Sequence, residues 1–199
     1  MIVTPRLRGL PLAETDFDDL HALHRDDRVL AAFGAGPASA AETRAFLVRK
    51  LEHWREHGFG IWMFRDPAGE FVGRCGIHRW ALAGRAEVEL GYIARSEAWS
   101  QGYATEMGTG VVRHAFSELG LRALVGFTRA DNVPSRRVLE KLAFAYERGS
   151  WQTARNRCCT AAATRPRRRR LRRRPQERGL ARAPSEPTAR SHPGRGSRS

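Results

Sequence analysis

The sequence predicts a single mixed α/β domain, in which a mostly antiparallel, twisted sheet is flanked by about four helices and followed by a disordered tail. Three observations favour this fold. Apolar residues recur with helical period in several segments, shorter segments between them alternate with strand period, and large apolar residues nearly vanish from Thr153 onward. With 199 residues, the chain has the length of one ordinary domain plus an extension.

The N-terminal part of the chain predicts an edge strand and three helical segments. Ile2–Leu12 alternates and contains prolines, which is typical of an edge strand. The Thr15-x-x-Asp18 pattern resembles a helix cap, and Val29–Phe33 indicates a short helical turn. The capping box Ser39-x-x-Glu42 precedes an apolar stripe, which predicts a long helix that ends at Gly58.

The most informative stretch runs over Glu87–Gly120 and predicts a strand, a tight turn and a helix. Glu87 and Glu89 alternate with apolar residues, so one face of the strand carries two carboxylates. Gly102 and Ala104 then open the helix with little side-chain bulk. Free backbone N–H groups at the positive end of a helix are how proteins hold a pyrophosphate, so this turn is a candidate phosphate site.

The other elements follow from alternation, turn residues and caps. Asp131 or Asn132 can cap a last helix that has Pro134 in its first turn. The further strands are predicted at Phe59–Phe64, Glu70–Trp80, Ala123–Thr128 and Phe144–Glu147.

Three segments of the chain resemble the GNAT acetyltransferases, and most closely the branch of ribosomal-protein N-terminal acetyltransferases of the RimJ and RimL type. These segments are Glu89–Tyr92, Trp99–Glu106 and Asn132–Phe144, and the resemblance covers Met1 to about Trp151. Three positions depart from the general family pattern. Trp99 heads the phosphate loop, Leu139 replaces a frequent catalytic tyrosine, and Ala143 replaces a glycine.

The resemblance implies acetyl-CoA as acetyl donor and a sheet whose fourth and fifth strands splay to admit it. The pantetheine arm would pair with the strand around Ile93, and Asn132 and Ser135 form the second motif of the site. The pyrophosphate would bind the amides of Gln101, Gly102, Tyr103, Ala104 and Thr105. The same small residues also suit close helix packing without any ligand.

Acetyl transfer to an amine needs a base, and the resemblance favours Glu89, acting through water, with Glu87 in reserve. Either carboxylate can instead be a solvated charge or a salt-bridge partner. Leu139 cannot protonate the leaving thiolate, and the resemblance makes Ser135 the candidate acid. Alternatively, the Ser135 hydroxyl lies in the first turn of the helix and only forms a hydrogen bond with the backbone or the cofactor. Tyr92 and Tyr103 are lesser candidates.

Histidines and cysteines do not predict a metal site. The four histidines at helical spacing, His21, His24, His53 and His57, are not accompanied by a cysteine or carboxylate cluster. Three cysteines, of which Cys158 and Cys159 are adjacent, do not form a disulfide framework. We therefore expect the protein to be located in the reducing cytoplasm. No apolar window approaches a membrane span, and we expect no membrane partner.

We therefore expect an acetyl-CoA-dependent N-acetyltransferase, monomeric or homodimeric, that acts on a primary amine of a protein N-terminus or a small molecule. The alternative is a non-catalytic CoA-binding or ribosome- and RNA-associated protein that uses the arginine run of residues 167–174. A nucleic-acid contact is expected only through this basic tail.

The tail carries nearly all the net charge. From Thr153 onward there are 15 Arg and 2 Glu, a net of +13, which leaves about +1 of the total +14 for residues 1–152. We predict an acetyltransferase domain over 1–152 that lacks its last strand and a disordered tail over 153–199. The abrupt change to residues with GC-rich codons suggests a frameshift, with activity impaired by the aberrant C-terminus.

Overall fold

A computed structural model describes residues 1–82, 85–153 and 156–164. The helices and strands of this part of the chain all belong to one compact unit, Met1–Pro166. The helices are α1 (Phe17–Leu23), α2 (Asp27–Phe33), α3 (Ala40–His57), α4 (Tyr103–Ser117) and α5 (Val133–Lys141). The strands are β1 (Ile2–Val3), β2 (Arg8–Pro11), β3 (Ile61–Arg65), β4 (Phe71–Leu82), β5 (Arg85–Ala94), β6 (Ala123–Arg129), β7 (Ala145–Thr153) and β8 (Asn156–Thr164).

The strands form one mixed sheet in the order β1-β2-β3-β4-β5-β6-β8-β7. Among the described residues, β5 and β6 are the one parallel pair, and their register joins Glu89 to Val125. All other neighbouring strands of the described residues pair antiparallel. Antiparallel pairing suits the short connections between strands such as β3 and β4. The predicted fold class is confirmed.

The sheet separates two groups of buried side chains. One contains apolar residues of α4 and α5, including Met107, Val111 and Leu139, packed against the sheet. The other lies beneath α1, α2 and α3 and includes Leu20 and Leu47. Burial of side chains of this size contributes about 1.5–3 kcal/mol each, so both helical layers are held chiefly by apolar contact. No helix in the described part of the chain has the length and apolar character to cross a bilayer.

Two of the helix caps predicted from the sequence are present, at Ser39 and Asn132. The predicted Thr15-x-x-Asp18 cap is wrong, because Thr15 lies within the short 3-10 turn Glu14–Asp16 and no side chain caps α1, which begins after Asp16. Ser39 Oγ accepts the Glu42 N–H at 3.2 Å, and the Glu42 carboxylate accepts the Ser39 N–H at 2.8 Å, so the predicted capping box is present. Asn132 caps α5 by accepting the Ser135 N–H at 3.1 Å. Asp26, which the pattern did not single out, caps α2.

The first predicted strand is two strands. Ile2–Leu12 turns back on itself, because Thr4 Oγ1 accepts the Leu7 N–H at 3.0 Å and the Thr4 N–H donates to Leu7 O at 3.0 Å. β1 and β2 therefore form an edge hairpin rather than one continuous strand.

The prediction of a missing last strand is wrong. β8 lies between β6 and β7 and pairs with both. Its pairing with β6 includes Ala123↔Thr164, and its pairing with β7 includes Ala145↔Ala162. Its residues are mostly small, and backbone pairing does not require the apolar alternation that the pattern search sought. Disorder from Thr153 is accordingly wrong for residues 156–164, whereas 165–199 lie outside the described residues.

Candidate active site

A cavity of about 320 Å³ opens where β5 and β6 separate. The two strands pair at Glu89↔Val125, and beyond that point both line the cavity, β5 through Ile93 and β6 through Arg129. The first turn of α5 closes one side, and side chains of α2 and α3 close another. The predicted splay of these strands is therefore present, and it places polar groups from several elements around one space.

Glu89 points into this cavity and bonds a histidine of the neighbouring strand. His78 is directly opposite Glu89 in the β4–β5 register, and His78 Nε2 lies 3.1 Å from Glu89 Oε2. Both side chains are mostly buried, with 18% of Glu89 and 19% of His78 exposed. Glu87 lies on the same strand face but is not among the residues that line the cavity. The geometry thus separates the two predicted carboxylates.

Two cations share the same wall. Arg74 is two strand positions from Gly76 and four from His78, so all three side-chain positions lie on one face of β4. The Arg74 guanidinium carbon lies 5.0 Å from the Phe46 ring centre, and Lys50 follows one turn later on α3. Desolvation lowers the pKa of Arg74 to about 10. Burial, and then the charge of Arg74, lower the pKa of Lys50.

Ser135 and Tyr92 meet at the opposite wall. The Tyr92 hydroxyl donates to Ser135 O at 2.8 Å and lies 3.0 Å from Ser135 Oγ, so the serine hydroxyl can donate to the Tyr92 oxygen at the same time. Burial raises the pKa of Tyr92 to about 12, so this phenol stays protonated at neutral pH. Asn132, besides capping α5, donates to Ala32 O at 3.3 Å and ties α5 to α2. Leu139 is buried in the core.

The start of α4 has the properties of an anion site. Gly102 has φ +80°, and a β-carbon there would have only Arg6 Nη2 within 4 Å, at 3.7 Å. The Glu106 N–H donates to Gly102 O at 3.0 Å, so the amides of Tyr103, Ala104 and Thr105 precede the first bond of this helix. This open turn, with three amides that no helical hydrogen bond uses, fits a pyrophosphate.

An N-terminal arginine braces this turn. Arg6 donates to Gln101 O at 3.1 Å and to Glu106 Oε2 at 2.7 Å, and its guanidinium lies 4.3 Å from the Tyr103 ring centre. Tyr103 is therefore engaged with Arg6 rather than with the cavity, which it does not line. Ile93 lines the cavity from β5.

The four histidines considered for a metal have other contacts. Within the part of the chain that the structure describes, no three His, Cys, Asp or Glu residues converge on one point. His21 and His24 each place Nδ1 3.2 Å from the buried Thr43 hydroxyl. His53 Nε2 accepts the Arg79 N–H at 3.0 Å, which leaves Nδ1 to donate to Phe59 O at 2.9 Å.

Sequence reasoning missed His78, Arg74 and Lys50. The signal that would have found the first two is the alternation of β4: Arg74 and His78 are four positions apart in this apolar strand and therefore lie on one face, the face of Glu89, which is opposite His78. Lys50 lies four residues after Phe46 on one face of α3. The sequence shows each of these three residues as a polar residue beside apolar ones, but it does not show that they line one cavity.

The separating parallel strands and the open start of α4 are the fold and site of an acyltransferase that takes its acyl group from a CoA thioester. Residues 6–145 match the family model described as an acetyltransferase (GNAT) domain. The chain therefore belongs to the GNAT acetyltransferase family, as predicted, and acetyl-CoA, the acetyl donor that this family uses, is confirmed as its co-substrate.

Individual relatives agree with this assignment. The uncharacterized protein YkkB of Bacillus subtilis is 26% identical over 148 residues, which cover 74% of this chain and 86% of that protein. An acetyltransferase structure from Agrobacterium tumefaciens has a TM-score of 0.70 and 25% identity over 81% of this chain and 92% of its own. RimL, a ribosomal L7/L12 α-N-protein acetyltransferase in complex with CoA, has a TM-score of 0.66 and 18% identity over 81% and 96%.

Proposed function

We propose that this protein transfers the acetyl group of acetyl-CoA to a primary amine, with Glu89 as base and Ser135 as the proton donor to the leaving group. The observation that carries the proposal is that Glu89 and Ser135 line the same cavity, at the point where β5 and β6 separate. A base and an acid on two walls of one space suit a reaction that removes a proton from one reactant and supplies one to the other.

The donor-binding part of the proposal uses the start of α4. The amides of residues 101–105 hold the pyrophosphate, and the φ of +80° at Gly102 turns the chain so that the helix end stays open. The backbone of β5 around Ile93 is available for the pantetheine arm, because the β5–β6 register consists of Glu89↔Val125 in the described residues. Bound acetyl-CoA would supply the acetyl group as a thioester, and CoA would then leave as a thiolate that takes up a proton.

Glu89 accepts the proton of the attacking amine, directly or through a water molecule. His78, 3.1 Å away, holds the carboxylate in one orientation and can pass the proton on. Glu87 does not line the cavity and serves as the reserve candidate only. The role of His78 is that of a positioning residue, since it acts through Glu89.

Ser135 donates a proton toward the leaving sulfur. Tyr92 supports it, because its hydroxyl lies 3.0 Å from Ser135 Oγ and its pKa of about 12 keeps the phenol proton in place. Asn132 fixes the turn that carries Ser135 by accepting the Ser135 N–H. This pair supplies the donor that the family frequently takes from a tyrosine at the position of the buried Leu139.

The finer assignment follows the RimJ and RimL type, with a protein N-terminus as one acceptor class and a small-molecule amine as the other. Ser135 and the absence of a tyrosine at position 139 support it. A cytoplasmic location and a monomer or homodimer belong to the same proposal. The alternative, a non-catalytic CoA-binding protein, does not explain why a carboxylate, Glu89, lines the cavity.

A screen of amine acceptors tests the proposal. The full chain is incubated with acetyl-CoA and peptides, amino acids, polyamines or aminoglycosides, and released CoA is measured. We expect release that depends on both acceptor and enzyme. Binding of acetyl-CoA with no release for any acceptor class would favour the non-catalytic alternative.

The frameshift remains a proposal that rests on composition alone, and it carries with it the impaired activity. Sequencing the DNA around codons 145–155 and translating the other two frames tests it. A frame that continues with an alternating apolar strand supports the proposal, and the lack of one in either frame shows that the arginine-rich segment is the true sequence.

A further inference from the structure

The positive charges of the cavity exceed its negative charges. Arg74 and Lys50 line it together with a single carboxylate, Glu89, which is bonded to His78. A third cation, Arg129, is bonded to Asp131 at 2.9 and 2.6 Å. Among the residues that the structure describes, neither Arg74 nor Lys50 forms a salt bridge with a carboxylate. The charge of Glu89 acts on both Arg74 and Lys50, so two cations share one carboxylate and one positive charge of the cavity is left without a counterion.

Arg74 also carries a donor without an acceptor. Its Nε atom is buried and has no hydrogen-bond partner in the described part of the chain. Leaving a buried charged donor unpaired is costly, and a ligand in the cavity can supply the missing acceptor. The guanidinium is held 5.0 Å from the Phe46 ring centre, so its position is fixed by packing rather than by an ion pair.

The phosphates of the donor do not account for these cations. The amides proposed for the pyrophosphate, residues 101–105, belong to the start of α4 and do not line the cavity. Gly91 leaves the space in front of β5 open, since a β-carbon there would meet nothing within 4 Å. The wall of Arg74 and Lys50 thus faces room for the second substrate.

We propose that the acceptor is an amine that carries a carboxylate, and that Arg74 and Lys50 bind this carboxylate while Glu89 faces the amine. The proposal rests on the N-acetyltransferase function and narrows its substrate class. Planar guanidinium groups pair with carboxylates through two parallel hydrogen bonds, and a nearby ammonium adds charge. The same wall repels polyamines and aminoglycosides, whose additional cations would meet Arg74 and Lys50.

Two sources supply this chemistry, a free amino acid and an acidic peptide N-terminus, and matched acceptor pairs distinguish them. The first pair is a free amino acid and its carboxamide. The second is Ala-Asp-Ala amide and Ala-Asn-Ala amide, which differ only in the charge of the second side chain. Spermidine serves as the cationic acceptor. The kcat/KM of the full chain is measured for each acceptor from the release of CoA.

We expect the carboxylate member of at least one pair to exceed its amide by about tenfold or more, because a charge-assisted bond is then lost. Arg74→Gln and Lys50→Gln should each reduce this preference to near parity. Arg49→Gln removes an exposed charge one residue from Lys50 and should keep the preference. Comparing ratios between variants cancels the difference in amine basicity within a pair.

The proposal is overturned if the amides or spermidine are acetylated as well as the carboxylates, or if the preference survives in both cavity variants. Lys50→Gln, on a partly exposed helix position, keeps the test valid if Arg74→Gln does not fold. If no amine is acetylated, the same pairs are titrated calorimetrically into the protein saturated with CoA. Tighter binding of the carboxylates then supports the anion site and rejects the transferase; equal binding rejects the anion site.

Discussion

The Tyr92 hydroxyl lies 3.0 Å from Ser135 Oγ, which joins strand β5 to the first turn of α5 across the splayed part of the sheet. The two residues are 43 positions apart in sequence and belong to elements separated by α4 and β6. Their contact places a hydroxyl pair on the wall of the cavity that also contains Glu89. The position of Ser135 is therefore set by its neighbour as well as by its helix cap.

Ser135→Ala should lower kcat by about a hundredfold, because general acid catalysis contributes at least this much, while the Kd of acetyl-CoA changes little. Tyr92→Phe removes the support but leaves the serine hydroxyl, so a smaller loss is expected. Stopped-time assays of CoA release give kcat for both variants. The assignment is reversed if Tyr92→Phe loses more activity than Ser135→Ala.

Gly102→Glu should weaken acetyl-CoA binding by about tenfold or more, since the new side chain puts bulk and negative charge at the helix end. Calorimetry measures the affinity. Gly69→Glu is a matched control, because Gly69 has φ +86° and open space at its β-carbon but lies in the β3–β4 turn. Unchanged affinity in Gly102→Glu, or equal loss in both variants, would remove the phosphate-loop interpretation.

Acid should destabilise the protein partly through His24. Desolvation, together with the charges of Arg74 and His21, lowers the pKa of His24 from 6.5 to about 4. The unfolded state then binds more protons than the folded state between these values, so the free energy of unfolding falls as the pH falls from 6.5 toward 4.

His24→Gln, which keeps a group able to bond Thr43, should flatten this loss. Urea unfolding of the wild type and the variant at several pH values measures the slope. Thr43 and the Phe46 ring, which lies 5.0 Å from the His24 ring, are unchanged in the variant. Parallel stability curves for the two proteins would show that His24 does not contribute.

Ala143→Gly should stabilise the fold by about 1 kcal/mol, because Ala143 has φ +62°, a left-handed conformation that costs a residue with a β-carbon. Ala45→Gly, on the exposed face of α3, should destabilise by a similar amount. Urea unfolding measures the change in the free energy of unfolding for both variants. Destabilisation by Ala143→Gly would contradict the idea that the left-handed backbone at Ala143 is strained.

Local patterns predicted those parts of the fold that depend on neighbouring residues. The capping box at Ser39 and Glu42 and the cap at Asn132 are local bonds, so the sequence contained all the information needed. β8 pairs with β6, which is distant in sequence, as well as with its hairpin neighbour β7, and the mostly small residues of β8 do not alternate between apolar and polar. Pairing that does not depend on side-chain pattern is invisible to a search for pattern.

The segments that resemble the family were visible in the sequence, whereas His78, Arg74 and Lys50, which line the cavity, were not singled out. Glu89 and Ser135 lie in segments that resemble the family, and this resemblance favours Glu89 over Glu87, but it does not show where the two carboxylates lie in the folded chain. Their separation comes from the β4–β5 register, which sets His78 opposite Glu89, and from the point at which β6 leaves β5. Both are tertiary facts that a single strand cannot encode.

Glu89→Gln, with Glu87→Gln as its matched control on the same strand face, tests the central claim most directly. The measurement is the rate of CoA release with a saturating amine, accompanied by the Kd of acetyl-CoA. Loss of the base should lower kcat of Glu89→Gln by about a hundredfold or more, with acetyl-CoA affinity nearly unchanged and Glu87→Gln close to wild type. Full activity of Glu89→Gln would contradict the account, and loss confined to Glu87→Gln would move the base to that residue.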